Sequence, residues 1–229
     1  MSDRRRVLLV GATGLVGRRV MEQCVGRQDV RLVALTRREA PMPPGARMEM
    51  LVADPAEWTR AVASVAPDAV ICALGTTWRK AGRDEAAFRA VDEELVLRVA
   101  KAAHAAGAAN FVLVSSVGAN AASRTFYLRV KGEVEAAVRK AGLRRLDILR
   151  PGLLRGPRGR DRRPGERLAM LLSPLANLLL HGSRRRYRSI DARTVARAAL
   201  QCMHEKARGT FTHDNDAIVR HARRLDSVG

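Results

Sequence analysis

The stretch Gly11-Ala12-Thr13-Gly14-Leu15-Val16-Gly17 stands between an apolar run at 6–10 and a helical pattern marked by Leu15, Val16, Val20 and Cys24. That order predicts a strand, a tight turn and a helix. In such a GxxGxxG turn the first glycine permits the sharp bend and the second lets backbone approach a pyrophosphate. The third lets the helix pack closely on the strand, with its N-terminus facing the phosphates. Gly11, Thr13, Gly14, Leu15, Val16 and Gly17 are therefore the candidate dinucleotide-binding residues of the turn.

Further apolar runs at 30–35, 48–52, 69–74, 111–114 and 146–149 read as strands, each followed by a turn or helix signal. Helical patterns lie between them at 56–65, 84–106 and 123–140; in the last, Phe126, Val130, Val134 and Val138 mark one face. This alternation predicts an α/β, doubly wound parallel sheet of Rossmann type. Past Pro151 the rhythm changes to a Gly/Pro/Arg-rich loop, an apolar segment, a helix at 191–204 and a short tail. The expectation is one Rossmann domain over 1–229, with 151–190 as a small substrate-side cap.

Composition narrows the function classes. The 229 residues are 47% hydrophobic and 3% aromatic, with no long polar tract. The apolar stretch after the basic N-terminus is too short for a signal-peptide core. The run at 168–180 is interrupted by Ser173, Pro174 and Asn177 and falls short of a membrane span. It reads as a buried or pocket-covering helix, with membrane-surface contact as the alternative. Cys24, Cys72 and Cys202 are odd in number and widely spaced, and the five histidines are dispersed. Neither set forms a disulfide framework or a metal motif, so no metal is expected and a reducing cytoplasm is. The formal charge of +19 attracts polyanions in general, but it comes from arginines scattered along the chain. With few aromatics and no recognition motif, no specific nucleic-acid partner is expected.

At the end of the second predicted strand stands Thr36-Arg37-Arg38, where an NAD-specific site usually offers an acid to the ribose hydroxyls. Guanidinium groups make charge-assisted bonds to phosphate, so Arg37 and Arg38 point to NADP(H). Asp54, past the third strand, has two readings: acceptor for the adenine amino group, or helix cap. Leu74, Gly75 and Thr76 end the fourth strand where backbone would pass the cofactor. Tyr127 and Lys131, four apart, share one face of a predicted helix. A nearby positive charge favours an ionised phenol, bringing it toward acid/base work. Ser115-Ser116 ends the fifth strand at the same carboxyl edge. Ser115, Ser116, Tyr127 and Lys131 thus form the candidate catalytic set, with either serine positioning a substrate oxygen.

These residues resemble the short-chain dehydrogenase/reductase superfamily, and within it the atypical group typified by the Tat-interacting oxidoreductase. The likeness is carried by the Gly11–Gly17 turn, Arg37-Arg38, Leu74-Gly75-Thr76-Thr77 with Lys80-Ala81-Gly82, and Ser115-Ser116-x-Gly118-Ala119. Tyr127-x-x-x-Lys131-Gly132-Glu133-Val134-Glu135 and Arg150-Pro151-Gly152 complete it. The resemblance implies NADPH at the carboxyl ends of the strands, Tyr127 as general acid toward a carbonyl, Lys131 on the nicotinamide ribose and Arg163 as a further cofactor contact. The implied activity is an NADP(H)-dependent reductase or dehydrogenase acting on a small-molecule carbonyl or alcohol. Two alternatives stand beside it. One is an NADP(H) sensor that binds a protein partner without turnover; the other is an epimerase or dehydratase, although only about 75 residues follow Gly152 to hold a larger substrate.

Overall fold

Val7, Leu8, Leu9 and Val10 are all fully buried, as only a strand covered on both faces of a sheet can be. They are the last four residues of β1 (Arg5–Val10). In the computed structural model, which describes residues 4–156 and 182–225, β1 is flanked by β2 (Val30–Thr36) and β4 (Ala69–Cys72). Beyond them lie β3 (Glu49–Val52), β5 (Asn110–Val114), β6 (Arg145–Leu149) and β9 (Gly209–His213). The order is β3-β2-β1-β4-β5-β6-β9, and every pair is parallel. A separate two-stranded ladder joins β7 (Leu154–Arg155) to β8 (Ile190–Asp191). The doubly wound Rossmann sheet predicted from the glycine turn is thus the observed fold.

Two hydrophobic clusters cover the sheet. On one face pack α1 (Leu15–Cys24), α6 (Ala192–Cys202) and α7 (Asn215–Arg224), burying Val16, Val20, Val195, Ala199 and Ile218. On the other pack α2 (Trp58–Val65), α4 (Leu95–Ala105) and α5 (Phe126–Arg139), burying Trp58, Val99, Val130 and Val134. The apolar stripes at helical spacing are the reason: each helix has one face to remove from water.

Three departures from the sequence expectation matter. The helix foreseen at 84–106 is divided into α3 (Glu85–Arg89), a single π turn (Ala90–Glu94) and α4. The fourth strand stops at Cys72, so residues 73–77 run as a loop along the sheet edge. Most of the expected tail is structured, as β9 and α7. β9 carries one large apolar side chain, Phe211, in Gly209-Thr210-Phe211-Thr212-His213. An edge strand paired on one side needs no apolar run, so its signal was weak. Arg163 and the apolar run at 168–180 lie outside the described residues. Among the described residues no helix is long and apolar enough to cross a membrane.

Candidate functional site

The strand order reverses between β1 and β4, and in open α/β sheets ligands bind in the crevice that this reversal opens at the carboxyl ends. Backbone fills the crevice floor. Gly11 has φ +90°, and a Cβ there would lie 2.4 Å from the Ala73 carbonyl oxygen. A Cβ on Gly17 would lie 2.2 Å from the Gly11 carbonyl oxygen, so α1 touches the turn directly. Gly14 is the N-cap of α1 and offers no side chain to the free amides, and no acid stands in the first turn. Thr13 is exposed at the tip, Leu15 is half-buried and Val16 is buried in the core.

Three observations fit a phosphorylated dinucleotide here. The N-terminus of α1 has amides with no side-chain cap, the ordinary receptor for pyrophosphate. Thr36 Oγ1, at the end of β2, is buried without a hydrogen-bond partner among the described residues. Arg37 and Arg38 follow it, exposed. Asp54 is also exposed, and its Oδ1 accepts a hydrogen bond from Ala56 N at 2.8 Å, capping a 3-10 turn (Pro55–Glu57). Of its two readings, the cap is the one made by contacts within the chain.

Beyond the crevice, the loops after β4, β5 and β6 meet α5. Tyr127 is 38% exposed and packs edge-on to Phe88 at 6.0 Å between centroids. One turn on, Lys131 is buried, with Nζ in an ion pair 2.8 Å from Asp92 Oδ1. Asp92 is fully buried within the π turn, and its Oδ2 accepts from Thr76 N at 2.6 Å. Burial opposes a charge on Lys131, yet Asp92, with Tyr127, more than offsets it and holds the ammonium above its ordinary range. Gly75 lies over this pair: a Cβ there would stand 3.6 Å from Asp92 Oδ1 and 3.9 Å from Lys131 Nζ. Leu74 is half-buried against the core on the α4 side.

The two serines are not equivalent. Ser115 is buried, and its hydroxyl donates to Glu135 Oε1 at 2.5 Å. Glu135, itself buried, also accepts from Nε and a terminal nitrogen of Arg150, which ties α5 to the loop after β6. Ser116 is half-buried and makes only a 3.3 Å contact to the carbonyl of Val117. Gly132 admits the loop that follows: a Cβ there would lie 2.2 Å from Ala121 N. On the far side, Gly152 lets the backbone pass Arg188, and Asn215 bridges both by accepting from Gly152 N and donating to the Arg188 carbonyl.

Sequence reading missed Asp92 and Asn215, and it quoted Glu135 within the resemblance without a role. For Asp92 a signal existed, since it falls four residues from both Phe88 and Val96 on the buried face of a helical pattern. An acid on an apolar stripe is seldom there for solvation.

The reversal of strand order at a glycine turn, with an uncapped helix N-terminus behind it, defines an NAD(P)-binding protein of Rossmann type. The chain belongs to the NAD(P)H-binding family, whose model matches residues 11–206. It is 37% identical to the mitochondrial protein fmp52 of Emericella nidulans over 71% of this chain and 72% of that protein. To the fmp52 of Aspergillus niger it is 33% identical, over 85% of each. The rat protein HTATIP2 is 49% identical over 102 residues, 44% of this chain and 41% of that one. Two solved structures share the fold: a putative NAD-dependent epimerase/dehydratase from Bacillus halodurans and the enzyme WbmG of Bordetella bronchiseptica in complex with NAD. The first has a TM-score of 0.69 at 23% identity, covering 96% of this chain and 99% of that one. The second has a TM-score of 0.69 at 19% identity, covering 99% and 79%.

These relatives correct the expectation of a cytoplasmic location, for the fungal proteins are named mitochondrial. The thiols never separated the two compartments. All three cysteines are free, and free thiols fit any reducing compartment.

Proposed function

We propose that the protein is an NADP(H)-dependent oxidoreductase acting on the carbonyl or alcohol of a small molecule. The observation that carries this reading is the exposed phenol of Tyr127 one helical turn from the buried Lys131–Asp92 pair, at the edge where the glycine turn lies. The residues suited to hold the dinucleotide are the Gly11–Gly17 turn at the phosphates, Arg37 and Arg38 at a 2′-phosphate, and Leu74, Gly75 and Thr76 along its length. Asp54 would serve the adenine through the carboxylate oxygen left over from its cap. When bound, the nicotinamide supplies or accepts hydride. Tyr127 donates or takes the proton at the substrate oxygen, Lys131 holds the ribose side of the site, and Ser116 positions the oxygen. Ser116 takes that role because the Ser115 hydroxyl is engaged by Glu135.

Trp78, Phe88 and Phe126 form a ring cluster beside Tyr127, with centroids 5.2 to 6.5 Å apart. Half of the chain's eight aromatic residues, Tyr127 included, are gathered here. Trp78 is 42% exposed, so the wall it offers favours a flat, apolar carbonyl substrate. The substrate-side cap expected over 151–190 lies for the most part outside the described residues. The names of the fungal relatives support a mitochondrial setting for this chain, to be checked by fractionation of cells that express it.

A titration with NADPH and NADH, repeated on Arg37→Ala/Arg38→Ala, tests the cofactor assignment. NADPH affinity is expected to exceed NADH affinity, with the preference lost in the double variant; equal affinities in the unaltered protein would refute NADP selection. Tyr127→Phe is expected to lose turnover of a carbonyl panel and keep NADPH binding. Undiminished turnover would remove the mechanism.

A further inference from the structure

At the opposite flank of the sheet, β6, β9, α6 and α7 bring Cys202, His213 and His221 together, one donor atom from each lying within 4.8 Å of the others. We propose that this cluster is a divalent-metal site that takes Zn2+ and clamps the carboxyl-terminal elements together. A thiolate with two imidazoles is a borderline-soft donor set suited to zinc. Bonds of about 2.0–2.3 Å in a tetrahedron put donors about 3.5 Å apart, so inward movements of about 1 Å complete the site.

The surroundings are those of a metal ligand set. Cys202 is fully buried and His213 is buried. His213 Nε2 lies 2.8 Å from Asp147 Oδ1, and Asp147 is in turn held by two bonds from Arg145, at 2.6 and 2.9 Å. A buried carboxylate on one ring nitrogen is the contact that orients metal-binding histidines. The His221 ring meets the His213 ring edge-on, with centroids 4.5 Å apart. Its Nδ1 is buried without a hydrogen-bond partner among the described residues, a state that proteins seldom leave unresolved. Glu205 Oε1 stands 3.7 Å from that nitrogen, beside the three-donor cluster, and water completes the tetrahedron. Binding releases the Cys202 thiol proton to solvent, and the thiolate and the Glu205 carboxylate then balance the dication.

The clamp has a structural purpose. β9 is an edge strand paired only with β6, and it ends at His213. One ion would join it to the last residue of α6 and to the middle of α7. The His213 backbone reaches the carboxyl edge, where its carbonyl accepts from Arg150 N at 2.9 Å, while its ring turns to Asp147 within β6; the metal titration tests the cluster without reference to the oxidoreductase reading.

The test uses the full-length protein, stripped with a chelator and titrated with Co2+ and then Zn2+. One equivalent of Co2+ is expected to give the visible bands of a tetrahedral ion and a near-ultraviolet thiolate charge-transfer band. Zn2+ is expected to displace it and raise the melting temperature by several degrees. Cys202→Ala and His221→Gln are expected to lose the cobalt bands and the thermal shift, and Glu205→Gln to weaken binding about tenfold. The wild-type cobalt spectrum decides the matter even if a variant fails to fold. Absence of that spectrum in the wild-type protein overturns the site, and so does unchanged zinc binding in a folded Cys202→Ala variant, which would place the ion elsewhere.

Discussion

Lys131 and Asp92 show how much of this site depends on single charges. Removing one partner of a buried pair strands the other, so Asp92→Asn is expected to cost about 3 kcal/mol of stability, measured by denaturant unfolding. The sign of the pH effect follows from the raised Lys131 pKa. The pair's contribution is fully present below the ordinary lysine value of about 10.4 and is lost as pH rises through the higher folded value. Without Asp92 the main group that opposes burial is gone and the lysine pKa falls, so the alkaline limb of turnover should move to lower pH. The serines provide a second comparison. Ser115→Ala removes a hydrogen bond to a buried carboxylate and should lower stability by about 1–3 kcal/mol with the chemistry largely kept. Ser116→Ala should leave the melting temperature nearly unchanged and reduce kcat.

At the scale of elements, the glycines mark where two pieces of backbone must touch. At Gly17 a methyl group would meet the Gly11 carbonyl at 2.2 Å, and at Gly132 it would meet Ala121 N at the same distance. Neither neighbour is a flexible side chain, so the element itself must shift. Gly17→Ala is expected to lift α1 from β1 and weaken NADPH binding at least tenfold, read by fluorescence titration. Gly132→Ala should cost about 1–3 kcal/mol, the range for overpacking, and displace the 119–121 loop beside Ser116, lowering turnover more than cofactor affinity. The π turn at Ala90–Glu94 belongs to the same scale, since it is the element that carries Asp92 to Lys131. Such turns recur at functional positions because they break helical register over a single turn.

For the molecule as a whole, the last strand and helix are part of the core. Ile218 and Ala222 of α7 are buried in the same cluster as Val195 and Ala199 of α6. Truncation after residue 208 is therefore expected to give a chain without a cooperative unfolding transition, monitored by near-ultraviolet circular dichroism. The net charge of +19 acts at this scale too. NADPH association should slow as salt is raised from low to physiological strength, because a field summed over many exposed arginines is screened within about 10 Å.

The sequence by itself determined the Rossmann architecture and the glycine turn between β1 and α1, because both rest on local rules. Strand periodicity, glycine spacing and helix stripes act over a few residues and leave their pattern in the chain. It also brought Tyr127, Lys131 and the serine pair to one edge, since parallel strands put every carboxyl end on the same side. Only the tertiary structure decided which serine hydroxyl is engaged, that Lys131 is paired with Asp92, and that Cys202, His213 and His221 converge. Those contacts join residues that lie in different elements, as far as 66 positions apart, and share no spacing rule. The packing of separate elements sets their distances, and that information lies in the assembled core.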